Sequence, residues 1–390
     1  MAYTTINEPR DYFETIIWTG NGGAKTIKGL GHKPDLIWSK TRNKTYNHML
    51  SDSSRGFGAD KELGSNSTAV EGGLSAESYG YKSGHTADGW TMVNGNTDDA
   101  DNQEDGNTNE PGVSYVAWTW KANGATTTTN DASSTGIGNI DSTFQADTTS
   151  KFSIGIYGGS GTAGHTFKHG LDVKPDLVII KNITDGVGHS WAVYHSGIGA
   201  EYGMQLNGTD AKSDGPIWFN DTEPTTALVS VGASGSATNS AGTNNRLFYA
   251  FANVQGFQKH GTYEGNGNAD GTFTYLGFKP AFVMIKNADG AGDEWVMLTG
   301  DIATGGGHPG GGVVTGGGNS GHAAGNPVTD ALYANSSGAE TGTFTTDFLS
   351  NGFKIKHTSG ATNTDGETYL YMAWAEAPFV TSNGAPVNGR

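Results

Sequence analysis

The chain of 390 residues carries 62 glycines, no cysteine and only 16% charged residues, yet aromatic residues make up 10% of it. So many large rings exclude a disordered chain, glycine without a three-residue period excludes collagen, and zero cysteines exclude a disulfide scaffold or a thiolate metal site. The formal net charge of −16 argues against nucleic acid or an anionic membrane surface as a partner.

The segment Met1 to Tyr12 has no apolar signal-like core, and no stretch approaches 18 consecutive apolar residues, so neither a signal peptide nor membrane insertion is expected. The next landmarks recur three times in one order. An aromatic-x-Gly-x-Gly element begins at Trp18, at Tyr157 and at Tyr263. A Lys-Pro pair followed by a hydrophobic run and a second Lys comes next, as Lys33-Pro34 to Lys40, Lys174-Pro175 to Lys181, and Lys279-Pro280 to Lys286. The aromatic-to-Pro offsets are 16, 18 and 17 residues. Another apolar run follows: His48-Met49-Leu50, Trp191-Ala192-Val193, and Trp295-Val296-Met297. Each copy closes on an aromatic strand with a central alanine, at Ala117, Ala250 and Ala373. Copies one and three add a turn and an aromatic, Gly89-Trp90 and Gly352-Phe353.

Proline interrupts what precedes it, and the β-branched and aromatic run behind it reads as a strand buried on both faces. No stretch shows helical periodicity, and frequent Gly, Asn, Thr and Ser mark turns between short strands. The expected fold class is therefore all-β, as three tandem β-sandwich (jelly-roll, lectin-like) domains. The expected boundaries are residues 1–122, 150–256 and 257–380, with a Thr/Ser/Asn/Gly-rich linker at 123–149, a glycine-rich insert at 300–326 and an exposed tail at 381–390.

Candidate sites are few. The insert gathers Gly305, Gly306, Gly307, His308, Gly310, Gly311, Gly312, Gly316, Gly317 and Gly318, whose backbone amides could meet a receptor or a neighbouring subunit. Trp218 lies where the repeats have no counterpart, which makes it the favoured surface aromatic. Trp90, Trp118, Trp191, Trp295 and Trp374 read as core. The acidic run at Asp99, Asp101 and Asp105 is a weak calcium candidate that lacks EF-hand spacing, and otherwise no cofactor is expected. His165 and His169 are four apart on a strand-like stretch, where zinc ligation would need a helix. No serine-nucleophile elbow or phosphate loop occurs. Asp52, Asp301 and Asp347 are carboxylates that a glycosidase could use, but sequence does not pair them, so no catalytic residue is assigned.

Several of these elements are similar to repeat proteins of tailed bacteriophages, many of them marine. They are Tyr-x-Gly-x-Gly, Gly277 to Pro280, Asn351 to Lys354, Tyr371 to Phe379, and the opening Met1 to Ile6 with Tyr12-Phe13. The resemblance spans essentially the whole chain and departs at the glycine-rich insert. It implies a structural virion protein, a tail fibre or external fibre that binds a host-surface glycan or protein through loops. Such a protein would be made in the host cytoplasm, exposed on the particle, and assembled with other virion proteins, as a homotrimer by analogy. The alternatives are a capsid-decorating or head-fibre protein and a polysaccharide depolymerase.

Overall fold

The computed structural model describes residues 3–96, 106–184, 188–232, 237–241, 245–300 and 326–386. The first copy of the repeat forms β1 (Phe13–Thr19), β2 (Lys25–Lys28), β3 (Leu36–Thr41), β4 (Met49–Asp52), β5 (Tyr81–Thr86), β6 (Gly89–Val93) and β7 (Ser114–Trp120). Two strands follow within residues 123–149, β8 (Thr128–Asn130) and β9 (Ser142–Asp147). The second copy supplies β10 (Phe152–Gly158), β11 (Thr166–Lys168), β12 (Leu177–Asn182), β13 (Ala192–His195), β14 (Tyr202–Gln205), β15 (Ser213–Asp214), β16 (Leu228–Ser230) and β17 (Asn245–Phe251). The third supplies β18 (Gln258–Glu264), β19 (Phe273–Tyr275), β20 (Phe278–Asn287), β21 (Val296–Thr299), β22 (Ala331–Tyr333), β23 (Thr346–Leu349), β24 (Gly352–Ile355) and β25 (Thr368–Pro378). The α-helices among the described residues are single turns, so the protein is all-β.

Each copy builds a large sheet around the same four antiparallel strands: β1-β7-β3-β4, β10-β17-β12-β13 and β18-β25-β20-β21. The strand after Lys-Pro always lies beside the alanine-centred closing strand. A smaller sheet accompanies each large one: β2-β6-β5, β11-β16 and β19-β24-β23. The segment read as a linker does more than connect. Its β8 and β9 extend the second large sheet to eight strands, and its Ile140 and Phe144 are buried beneath the small sheet.

Period-two alternation decides what each strand faces. On β7, Tyr115 and Ala117 pack with Ile27, Trp90 and Met92 of the small sheet, while Val116, Trp118 and Trp120 turn the other way. On β12 and β17, Val178, Ile180, Phe248 and Ala250 pack outward against Phe167 and Val229, and Leu177, Ile179, Tyr249 and Phe251 face inward. This double burial explains why the runs after Lys-Pro are apolar without interruption.

The inward faces of the three large sheets meet in one cluster. Trp120 lies 5.1 Å from Phe13, 6.5 Å from Phe152, 6.2 Å from Phe251 and 5.3 Å from Trp374. Register makes Trp120, Phe251 and Trp374 equivalent, because each is paired to the Lys-Pro strand at Leu36, Leu177 and Phe282 respectively. The copies thus share a core arranged with approximate threefold symmetry, rather than three isolated cores. Each ring buried there contributes about 2–3 kcal/mol of transfer free energy.

Candidate functional site

The glycine elements are the repeat's most conspicuous loops. In each copy the leading aromatic donates to a threonine carbonyl: Trp18 to Thr108 at 3.0 Å, Tyr157 to Thr238 at 2.7 Å and Tyr263 to Thr362 at 2.6 Å. An asparagine follows each threonine and is fully buried: Asn109, Asn239 and Asn363. Its side chain clamps the glycine loop. The Asn109 amide donates to the carbonyls of Gly22 and Gly23 at 2.9 and 2.8 Å. Asn239 accepts from the backbone N–H groups of Ser160 and Gly161 and donates to the carbonyls of Thr162 and Gly232. Asn363 accepts from the N–H of Asn266 and donates to the carbonyls of Asn268 and His357.

The first glycine of each element is dictated by close approach. A Cβ there would lie 1.9 Å from the Glu110 carbonyl oxygen at Gly20, 2.1 Å from that of Ser240 at Gly159, and 2.2 Å from that of Thr364 at Gly265. These loops spend their hydrogen-bonding capacity on their own chain.

A second recurrent set joins the copies. The residues at the head of β4, β13 and β21 each reach a carbonyl of another copy. His48 Nε2 lies 2.9 Å from the Tyr333 oxygen, Trp191 Nε1 donates to Gly64 at 2.9 Å, and Trp295 Nε1 donates to Gln205 at 2.9 Å. The direction runs first to third, second to first, third to second, so the set closes on itself. The lysines ending the Lys-Pro runs, Lys40, Lys181 and Lys286, are buried in matching register. Lys181 donates to the Thr68 carbonyl at 2.7 Å and Lys286 to that of Thr209 at 3.3 Å, each again in the preceding copy. Lys40 donates to the Lys44 carbonyl at 3.0 Å. Burial lowers the Lys40 pKa to about 7, against the opposing pull of Glu340 from the third copy. Burial likewise lowers Lys286 to about 8.

Asp35 and Asp176, just behind the prolines, hold the outgoing chain: Asp35 accepts from the N–H groups of Ala122 and Gly124, and Asp176 from that of Asn253. Ala281 occupies the third such position.

The glycines of the insert, Gly305 to Gly318 with His308, lie outside the described residues, as do Asp99, Asp101, Asp105 and Asp301. Trp218 requires a correction. It is 7% exposed, its ring lying over Gly203, where a Cβ would come within 2.2 Å of the indole; the missing side chain makes the slot that buries it. The five tryptophans read as core are all buried. His169 is buried, with Nε2 3.2 Å from the Thr225 carbonyl and Nδ1 accepting from the N–H of Leu171. Burial holds its pKa down at about 4. Among the described residues no cluster of three metal-ligating side chains occurs. Asp52 is buried at the contact between the first two copies, 2.6 Å from Arg55 Nε, and accepts from the Tyr249 hydroxyl at 3.1 Å. Asp347 lies 3.8 Å from Lys356.

What the sequence reading missed is the Thr-Asn pair. Its asparagine stands six, seven and six residues ahead of the second residue of the closing strand, at Tyr115, Arg246 and Tyr369 respectively. That spacing is a usable signal, hidden by how common both residue types are in the chain.

No curated protein and no solved structure matches the chain. One family model does, over residues 8–303 and 319–378. Its gap falls on the glycine-rich insert, so residues 304–318 stand apart from the family's common pattern. With the rest of its repeat architecture matched, the chain belongs to the family described as Domain of unknown function (DUF7483).

Proposed function

We propose that this protein is a structural component of a tailed-phage virion, a tail fibre or other external fibre that attaches to the host surface. The observation that carries the reading is the closed set of contacts from His48, Trp191 and Trp295, with the buried lysines beside it. Polar and ionisable groups that an enzyme would present to substrate are used here to fix backbone between copies. That is the construction of a rigid scaffold, on which loops carry recognition. The finer architecture in this reading is three tandem lectin-like jelly-roll domains. The receptor is a surface glycan or protein, and the fibre is a homotrimer in which many weak contacts multiply. The insert that the family model skips is placed at the receptor as well.

Gold-labelled antibody on intact particles, together with competition of particle adsorption by the purified protein, tests this. Label at the tail or on external fibres, and loss of adsorption, are the expected results. Label on the capsid shell without competition replaces the reading with a capsid-decorating protein. Release of reducing sugar from host polysaccharide replaces it with a depolymerase.

A further inference from the structure

The small sheets carry an inversion found in one copy only. Strands β11 and β19 align without a gap up to the glycine that follows them, Gly170 and Gly277, both in the left-handed region at φ 81° and 84°. In β11 the inward residue is Phe167 and the outward pair is Thr166 and Lys168; β2 has the same pattern, with Ile27 inward between Thr26 and Lys28. In β19 the pattern is reversed. Thr274 points inward, its hydroxyl buried without a hydrogen-bond partner among the described residues, and Phe273 and Tyr275 point outward at 42% and 48% exposure. Among the described residues four large apolar or aromatic side chains stand exposed, and these are two of them. Both lie on one face of an edge strand, two residues and therefore about 6.6–6.8 Å apart.

The surroundings complete a site. Tyr3 places its hydroxyl 3.3 Å from that of Tyr275 and donates to the Gly277 carbonyl at 2.8 Å, which pins the outer end of the ring. Lys259 Nζ stands 5.6 Å from the Tyr275 ring centroid and donates to the Tyr275 carbonyl at 2.8 Å. Lys259 has no carboxylate partner among the described residues, whereas neighbouring Lys354, opposite Phe273 on β24, is paired with Asp270 at 2.5 Å. Lys259 thus brings a positive charge to the Tyr275 ring with no carboxylate set against it among the described residues.

We propose that Phe273 and Tyr275 form a stacking platform for the pyranose rings of an acidic glycan, with Lys259 receiving a sugar carboxylate. The flat apolar face of a pyranose matches an aromatic ring, and its hydroxyl rim suits the Tyr3 and Tyr275 hydroxyls. The carboxylate is the charge that Lys259 lacks. The net charge of −16 opposes a polyanion at long range, but screening confines that field to about 8–10 Å, so the local cation decides the contact. The proposal rests on the host-attachment reading and names the class of receptor and its place on the fold.

The test is titration calorimetry of the full chain with oligogalacturonate, oligoalginate and hyaluronate oligomers, and with dextran oligomers as the neutral control. At least one uronate oligomer is expected to bind, more weakly as salt rises, with dextran at least tenfold weaker. Phe273→Thr, which installs the residue found at Thr26 and Thr166, combined with Tyr275→Thr, should weaken uronate binding tenfold or more. Lys259→Gln should weaken it less and remove most of the salt dependence. Unchanged thermal unfolding of both variants separates recognition from folding. Absence of uronate binding, equal binding of dextran, or binding indifferent to the double substitution overturns the proposal. Adsorption of wild type and double variant to host cells keeps the two readings apart. Equal adsorption sinks the platform and leaves attachment standing. Platform-dependent uronate binding without any cell adsorption does the reverse.

Discussion

The inner junction and the outer small sheets of this protein obey different rules. At the junction, three copies of one strand order place equivalent rings, Trp120, Phe251 and Trp374, against each other, and every copy reaches into another through His48, Trp191 or Trp295. In the small sheets the copies diverge: two strands in the second, three in the others, and a reversed polarity on β19. Burial on both faces leaves an inner strand little freedom to change, since any loss of volume is felt by its neighbours. An outer strand has one wet face, and there the sequence can vary without unfolding the protein. Function therefore has room on the layer that the core does not dictate.

The junction is most vulnerable at Trp120. Trp120→Ala removes the ring that touches Phe13, Phe152, Phe251 and Trp374, and should cost about 3–5 kcal/mol. Chemical denaturation should still give a single transition, because one core serves all three copies; two separated transitions would show independent units. Gly159→Ala comes next. The new methyl meets the Ser240 carbonyl oxygen and Arg246 at 2.1 Å, and overpacking against backbone should cost about 1–3 kcal/mol by the same measurement.

Acid is a third probe, directed at the junction. Burial depresses the pKa of His48 to about 3 and of His195 to about 4, and holds His260 well below its ordinary value. An unfolded histidine takes up its proton near pH 6.5, so the unfolded state binds more protons below that point. Stability is therefore full above about pH 6.5 and declines toward pH 4, by about 1.4 kcal/mol per unit for each histidine that stays neutral. His260 is the informative one. Among the described residues both its ring nitrogens lack partners, and it packs 5.9 Å from Phe251 and 5.4 Å from Trp374. His260→Phe should make the decline shallower by one proton while changing stability at pH 8 less. An unaltered slope would refute the assignment. The smallest effect belongs to Gly158→Ala, one residue from Gly159, where a Cβ meets nothing within 4 Å; unfolding should shift by less than about 0.5 kcal/mol.

Much of the fold was legible. Lys-Pro followed by an unbroken apolar run announces a strand with two dry faces, and β3 and β12 are buried at every position. Repetition of the landmarks identified equivalent residues without any other sequence for comparison. Convergence of the copies on one cluster was not legible, because an inward Trp or Phe looks alike whether its neighbour belongs to its own copy or another. Trp218 misled for a related reason. Its burial depends on Gly203, fifteen residues upstream, and a glycine in a strand gives no sign of which ring will fill the space. The platform on β19 was hidden by composition: Phe-Thr-Tyr alternates as any strand does, and only the copies beside it reveal that the aromatic residues are on the wet side.

The contacts between copies close into a circuit within one molecule. A threefold assembly of separate chains exists only above some concentration and falls apart on dilution. Here the three parts are tied in one chain, and Asn7, ahead of the first copy, exchanges hydrogen bonds with Ser382, behind the third, at 2.7 and 2.8 Å. The inner stoichiometry is therefore written in the gene. A single molecule, however dilute, keeps its threefold junction complete.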